Sequence, residues 1–88
     1  MKEKIMTIRN RMGLHARPAA MFVQEAGKFK SQIFVVKDGL QVNGKSVMGL
    51  MLLAAESGSK LTIKADGVDE DRAIESLEKL FERRFDEA

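Results

Sequence analysis

Residues 60–65 alternate strictly between polar and apolar side chains. One side of the extended chain carries Leu61, Ile63 and Ala65, and the other carries Lys60, Thr62 and Lys64. This alternation is typical of a strand with one face in water, so it predicts a sheet that is covered on one side only. With 88 residues in all, the sequence predicts one domain, residues 1–88, with a thin core and no deep internal pocket.

Apolar periodicity and turn residues predict the remaining elements. Strands are expected near residues 5–8 and over 32–37 and 40–43, with a hairpin turn at Asp38-Gly39. Helices are expected over residues 16–26, from a Ser46 N-cap to about residue 53, and from an Asp69 N-cap to a last turn containing Arg83 and Arg84. The order β-α-β-β-α-β-α predicts an α+β fold, an open-faced β-sandwich with a four-stranded antiparallel sheet and three helices on one face.

Composition excludes several kinds of site. The sequence has no Cys and a single His, which argues against disulfides, thiol nucleophiles, metal centres and bound cofactors. A net charge of +2 and the absence of Tyr and Trp argue against a nucleic-acid partner. Charges interrupt residues 1–5, and no apolar run is long enough to cross a bilayer, so we expect a cytoplasmic protein without membrane insertion.

The lone histidine, His15, directly precedes the helix that Ala16-Arg17-Pro18 begins. A helix N-terminus attracts anions and disfavours imidazolium, so we expect a neutral, nucleophilic ring nitrogen near pH 7. Arg17 supplies a guanidinium group that is able to bind phosphate oxygens. These residues together predict a site that carries a phosphoryl group on nitrogen; the alternative is a solvated or helix-capping histidine.

The string GLHARPA, Gly13–Ala19, resembles the active-site signature of the HPr family, the histidine-phosphorylatable carriers of the bacterial phosphoenolpyruvate-dependent phosphotransferase system. A second string, NGKSVMG over Asn43–Gly49, also agrees, so the resemblance covers nearly the whole chain. It implies that His15 takes a phosphoryl group on Nδ1 from enzyme I and passes it to a IIA domain of a sugar permease. Arg17 would steady the phosphate, and the protein would be a carrier and not itself an enzyme. Nitrogen-related relatives imply an alternative, a regulatory binding module whose phosphorylation state switches partner affinity.

Residues 39–46 also match the nucleotide-binding pattern G-x-x-x-x-G-K-[ST]. That motif needs a phosphate-cradling loop after a buried parallel strand. Here Gly39 belongs to an Asp-Gly turn and residues 40–43 resemble a strand, so we interpret the match as a coincidence.

Ser46 has two interpretations. From the sequence it is an N-cap for the second helix. The resemblance implies a phosphoserine, made in one branch of the family by an ATP-dependent HPr kinase/phosphorylase, which lowers carrier activity and creates a corepressor for a transcriptional regulator. A phosphate at a helix N-terminus is electrostatically favourable, so it need not unfold the helix.

Methionines on the first two helices predict an apolar patch beside His15, since methionine suits surfaces that meet several partners. The resemblance places enzyme I and IIA domains on this face. The predicted partner-binding residues are Ala20, Met21, Lys45, Met48 and Met51. The alternative is plain core filling, and we expect Leu52 and Leu53 to be core residues in either case. Because the patch is modest, we expect a monomer.

Overall fold

The computed structural model describes residues 1–87. The strands are β1 (Lys2–Thr7), β2 (Gln32–Lys37), β3 (Leu40–Asn43) and β4 (Lys60–Asp66), and the helices are α1 (Ala16–Ala26), α2 (Val47–Leu52) and α3 (Glu70–Glu82). All strand pairs are antiparallel, in the spatial order β1-β4-β2-β3. This architecture confirms the predicted element order and the open-faced sheet with three helices on one side.

The alternating strand lies inside the sheet and behaves as its pattern predicts. Leu61, Ile63 and Ala65 are each at most 1% exposed and contribute to the core beneath the helices. Lys4 pairs with Ile63 in the register and therefore points to the same face, where its ammonium group meets Glu78 of α3 at 2.5 Å. The opposite face of the sheet is uncovered within residues 1–87.

An aromatic cluster joins α1 to α3. Phe81 packs edge-on against Phe22, with ring centroids 6.1 Å apart, and against Phe85, with centroids 5.0 Å apart. All three rings are buried, and such edge-to-face pairs add to the free energy gained by burial. The cluster therefore holds the end of α3 against the helix that His15 precedes.

The segment after α3 differs from the sequence prediction. The helix ends at Glu82, so Arg84 and Phe85 lie outside it, in a left-handed turn over Arg84–Asp86 with φ of 53–54° at each residue. Such a conformation costs about 1–2 kcal/mol per non-glycine residue. Complete burial of Phe85 offsets that cost, because its ring enters the aromatic cluster only if the chain reverses here.

Asp69 precedes α3 as predicted, but its side chain does not cap the helix. Its carboxylate accepts hydrogen bonds from Ser31 Oγ at 2.5 Å, Ser31 N at 3.0 Å and Lys30 N at 2.8 Å. These donors, the Ser31 hydroxyl foremost, lower the pKa of Asp69 to about 2. Asp69 therefore ties the loop before β2 to the start of α3, a long-range role that local sequence could not indicate.

The segment that matches the nucleotide-binding pattern is a hairpin followed by a six-residue helix. Asp38 and Gly39 both have positive φ, as a tight hairpin turn requires, and residues 40–43 form β3. Gly44 donates its backbone N–H to Ile33 O at 2.7 Å, so it continues the strand pairing. The structure confirms the prediction that these residues form a strand and not a phosphate-binding loop.

Candidate functional site

The loop that carries His15 is held against the segment after α2. Gly13 adopts φ of 72°, and Leu14 donates its backbone N–H to Ala55 O at 2.9 Å. Gly13 lies so close to this segment that a Cβ added to it would be 2.5 Å from Ala55 O. Leu14 itself is 5% exposed, so the residue before His15 is a core anchor. His15 is thus presented from a rigid support.

His15 occupies the N-cap position of α1, and its side chain makes no capping hydrogen bond. The prediction that the side chain caps the helix is therefore wrong, whereas a solvated histidine stays an alternative prediction. Its side chain is 41% exposed, whereas Nε2 is buried and has no hydrogen-bond partner within residues 1–87. The exposed area consequently lies on other atoms of the side chain, and Nδ1 is the ring nitrogen that is not in this buried, unpartnered position. The free backbone N–H groups of the first turn of α1 add positive potential beside it.

Arg17 is exposed in the first turn of α1, two residues after His15. Its guanidinium donates to Met21 Sδ at 3.0 Å, one turn further along the helix. No carboxylate of residues 1–87 pairs with it. A thioether is a weak acceptor, so this guanidinium group can exchange the sulfur for phosphate oxygens at small cost.

Glu87 is a member of the site that sequence reasoning missed. Its Oε2 lies 4.0 Å from His15 Nε2. The carboxylate is held by Asn10 Nδ2 at 3.2 Å and by the backbone N–H of Met12 at 3.3 Å. These hydrogen bonds, the one from Asn10 foremost, lower the pKa of Glu87, so it carries its charge at neutral pH. No local signal could have found it, because 72 residues separate it from His15 and a left-handed turn brings it back.

The methionine face is exposed where it was predicted to be. Met48 is 79% exposed and Met51 45%, while Ala20 and Met21 of α1 are half-buried. The structure therefore does not support core filling for the two methionines of α2. Leu52, predicted as core, is 72% exposed; Leu50 is buried in its place, together with Leu53. A six-residue helix packed by one face leaves its other residues in water.

A shallow groove of about 270 Å³ joins this face to His15. Its lining residues are Met12, Leu14, His15, Met51, Ala54, Ala55 and Glu56. The groove is open, so the ring of His15 is reached from the surface and not through a pocket.

Ser46 is the N-cap of α2, as predicted. Its hydroxyl accepts a hydrogen bond from Gly49 N at 3.1 Å, and its side chain is half-buried. Lys45, predicted as a residue of the partner face, donates an ammonium hydrogen bond to Phe29 O at 2.7 Å. This contact ties the Lys45 side chain to the loop between α1 and β2.

The described residues contain no group of three or more His, Asp or Glu side chains able to hold a metal ion. No helix among residues 1–87 has the length and apolar character required to traverse a bilayer.

Comparison with known proteins gives one consistent result. The family model described as "PTS HPr component phosphorylation site" matches residues 2–83. Phosphocarrier protein HPr of Treponema pallidum is 46% identical over 84 residues, covering 96% of each chain. HPr-like protein Crh of Halalkalibacterium halodurans is 52% identical over 83 residues, covering 94% of this chain and 99% of the relative.

Comparison with solved structures also indicates similarity to HPr. HPr of Thermoanaerobacter tengcongensis superimposes with a TM-score of 0.96 at 51% identity, covering 100% of this chain and 99% of the other. A second structure of HPr from that organism is described as a dimer. The agreement in sequence, fold and full-length coverage establishes that this chain belongs to the HPr family of phosphocarrier proteins of the phosphotransferase system.

Proposed function

We propose that this protein accepts a phosphoryl group on Nδ1 of His15 from phosphorylated enzyme I and transfers it to IIA domains of sugar permeases. The observation that carries the proposal is the orientation of His15 at the N-cap of α1, with Nε2 buried and the side chain 41% exposed. In each transfer the bond between phosphorus and the donor's atom breaks as the bond to Nδ1 forms. The reverse exchange then delivers the group to the acceptor.

The start of α1 supplies the charge that this reaction needs. Arg17 follows His15 by two residues in the first turn of α1, and we propose that its guanidinium group and the first-turn N–H groups stabilise the negative charge of a phosphoryl group on Nδ1. The roles that we assign at this site are those of one nucleophile and of the groups that bind its phosphate. We therefore propose a carrier whose partner enzymes supply the remaining groups.

The same face serves for docking. Met48 and Met51 are exposed, Ala20 and Met21 continue the apolar surface towards Arg17, and Lys45 contributes a positive charge at its edge. An apolar centre with a basic edge suits partners that carry an apolar patch and acidic residues. We propose that enzyme I and IIA domains bind here in turn, in the cytoplasm, to the monomer.

Ser46 is the proposed regulatory position. It lies on the same helix as Met48 and Met51, so a phosphate on its hydroxyl would place negative charge within the docking face. The proposed enzyme is an HPr kinase/phosphorylase, and the proposed reader is a transcriptional regulator. Likeness to the protein named HPr-like protein Crh supports testing a regulatory role.

A second candidate function is a regulatory binding module, as in the nitrogen-related branch, in which phosphorylation of His15 switches affinity without onward transfer. Onward movement of phosphate to a sugar-branch IIA domain separates the two functions. A nucleotide-dependent enzyme is disfavoured, since the residues of the G-x-x-x-x-G-K-[ST] match form a hairpin. Calorimetry with Mg²⁺ and ATP is expected to show no micromolar binding.

The primary test is transfer of ³²P from phosphoenolpyruvate through purified enzyme I to this protein and then to a IIA domain. We expect acid-labile, base-stable label on the wild type and none on His15→Ala. Label of that kind retained by His15→Ala would overturn the assignment, as would no label on the wild type. Ser46 is tested separately: incubation with a cognate kinase and ATP followed by mass spectrometry should find phosphate there, and its absence would remove the regulatory proposal.

A further inference from the structure

We infer that Glu87 is a positioning residue that keeps a proton on Nε2 of His15, so that Nδ1 is the reacting nitrogen and its phosphorylated form remains a reactive, protonated ring. This inference deepens the proposed phosphorylation of His15 and rests on it. It assigns a role to a residue outside the stretch that the family model matches, residues 2–83.

The first observation is the isolation of Nε2. This atom is buried and has no hydrogen-bond partner within residues 1–87, an arrangement that costs free energy unless a partner is close. Glu87 Oε2, at 4.0 Å from Nε2, is the one carboxylate oxygen of the described residues within ion-pair distance of His15. At this separation the carboxylate makes no hydrogen bond to the ring, but its negative charge favours an N–H at Nε2 over an unprotonated nitrogen, whose lone pair would face that charge.

The second observation is that Glu87 is fixed in place. Asn10 is 1% exposed, and its Nδ2 bridges Gly13 O at 2.7 Å and Glu87 Oε2 at 3.2 Å. Met12 N holds the other carboxylate oxygen. The loop that presents His15 therefore also anchors the carboxylate, and the left-handed turn at Arg84–Asp86 delivers the chain to it.

The reactivity of Nδ1 depends on whether Nε2 carries a proton. A neutral ring that carries its proton on Nε2 has its lone pair on Nδ1, as attack on phosphorus requires. After phosphorylation of Nδ1, transfer breaks the P–Nδ1 bond and returns the electron pair to Nδ1. If Nε2 keeps its proton, the leaving group is neutral imidazole; if it does not, the leaving group is the much poorer imidazolate. A carboxylate facing Nε2 favours the protonated, more reactive form.

Other charged groups surround the pair and would add to any pH dependence. On the His15 side they are Glu56, which lines the groove with the ring, and Arg17, which follows His15 by two residues in α1. On the Glu87 side they are Arg9, Arg11 and Arg84, which line one cavity with the carboxylate. The variant that removes the charge of Glu87 should therefore preserve its volume and leave these residues in place, as Glu87→Gln does.

The test measures spontaneous loss of phosphate from the phosphoprotein, in which water attacks phosphorus, P–Nδ1 breaks and inorganic phosphate leaves. Wild type, Glu87→Gln and Glu87→Asp are phosphorylated with potassium phosphoramidate and followed by ³¹P NMR from pH 5 to pH 9. Glu82→Gln, an exposed carboxylate at the end of α3, is the matched control. We expect Glu87→Gln to lose phosphate at least about threefold more slowly near pH 7.5, with its profile displaced to lower pH. Glu87→Asp should retain part of the wild-type rate, and Glu82→Gln all of it.

Superimposable profiles for the wild type and Glu87→Gln would overturn the inference, as would an equal slowing in Glu82→Gln. Proton NMR of each variant checks that the fold is kept, and Asn10→Ala provides a second route, since it frees the carboxylate and should slow phosphate loss in the same direction. Because phosphoramidate replaces enzyme I, failure of the proposed function is distinguishable. If enzyme I transfers no phosphate but Glu87→Gln clearly slows phosphate loss, the proposed carrier function is refuted and the role of Glu87 is not.

Discussion

Gly13 lies against the carbonyl group of Ala55 at a distance that excludes any side chain, since an added Cβ would be 2.5 Å from that oxygen. The same pair of segments is joined by the Leu14 N–H, which donates to Ala55 O. The position of His15 therefore depends on a contact between two loops that are 42 residues apart.

Gly13→Ala tests this contact against Gly39→Ala. Both glycines have positive φ, but a Cβ at Gly39 meets nothing within 4 Å. Gly39→Ala should cost about 1–2 kcal/mol of unfolding free energy, the backbone penalty alone. Gly13→Ala should cost about 1–3 kcal/mol more and should also slow phosphorylation of His15. Urea unfolding and the enzyme I assay measure the two effects; equal losses in the two variants would contradict the assigned contact.

Phe85→Ala tests whether the aromatic cluster maintains the left-handed turn. Removing this fully buried ring should lower the unfolding free energy by about 3–5 kcal/mol, because a cavity replaces its contacts with Phe81. Val68→Ala is the control: Val68 is 90% exposed, so its truncation should change stability by less than about 0.5 kcal/mol. Denaturant unfolding gives both values. A loss below about 1 kcal/mol for Phe85→Ala would show that the turn does not depend on this ring.

The lowered pKa of Asp69 predicts how the unfolding free energy changes with pH. Its pKa is lowered from 3.8 to about 2, so the folded state binds its proton less readily than the unfolded chain. The stability that Asp69 contributes is therefore complete above pH 4 and is lost as the pH falls towards 2. Asp69→Asn should be less stable than the wild type at pH 7, and the difference should shrink at pH 2. Urea midpoints across this range measure it, and a difference that stays constant with pH would exclude the assigned role.

Ser46 allows capping and regulation to be separated. Ser46→Ala should lose about 1 kcal/mol, because Gly49 N loses its acceptor. Ser46→Asp should retain stability within a few tenths of a kcal/mol, since aspartate caps as well as serine. If the docking face is as proposed, Ser46→Asp should still weaken binding to enzyme I in calorimetry, whereas Ser46→Ala should not. Unchanged binding of Ser46→Asp would argue against electrostatic regulation.

Arg17 is expected to act on the phosphorylated state and not on folding. Arg17→Ala should slow transfer from enzyme I about 10²-fold, and Arg17→Lys should slow it less, because lysine keeps the charge without the bidentate geometry. Neither should change the unfolding free energy by more than about 0.5 kcal/mol, since Arg17 is exposed. Arg72→Ala on α3 is the matched control and should transfer normally. A normal rate in Arg17→Ala would remove Arg17 from the site.

Local patterns in the sequence determined most of the fold. The bounds of α1, β2 and β3 agree with prediction, because helical spacing, strand alternation and the Asp38-Gly39 turn act over a few residues. The position of His15 before α1 also follows locally, since Pro18 and Gly27 bound that helix. Sequence alone therefore located the candidate nucleophile, the helix that follows it and the arginine proposed to bind phosphate.

Only the tertiary structure decided which residues surround His15 and Arg17. Asp69 bonds to Ser31 and not to its own helix, Leu50 is buried where Leu52 was expected, and Glu87 returns to His15 through a turn of three residues with positive φ. In each case distant segments compete for a side chain, and the outcome depends on burial and hydrogen bonds that form only when the chain is packed. A local sequence pattern does not predict such long-range contacts. The orientation of the histidine ring is therefore known only from the folded structure.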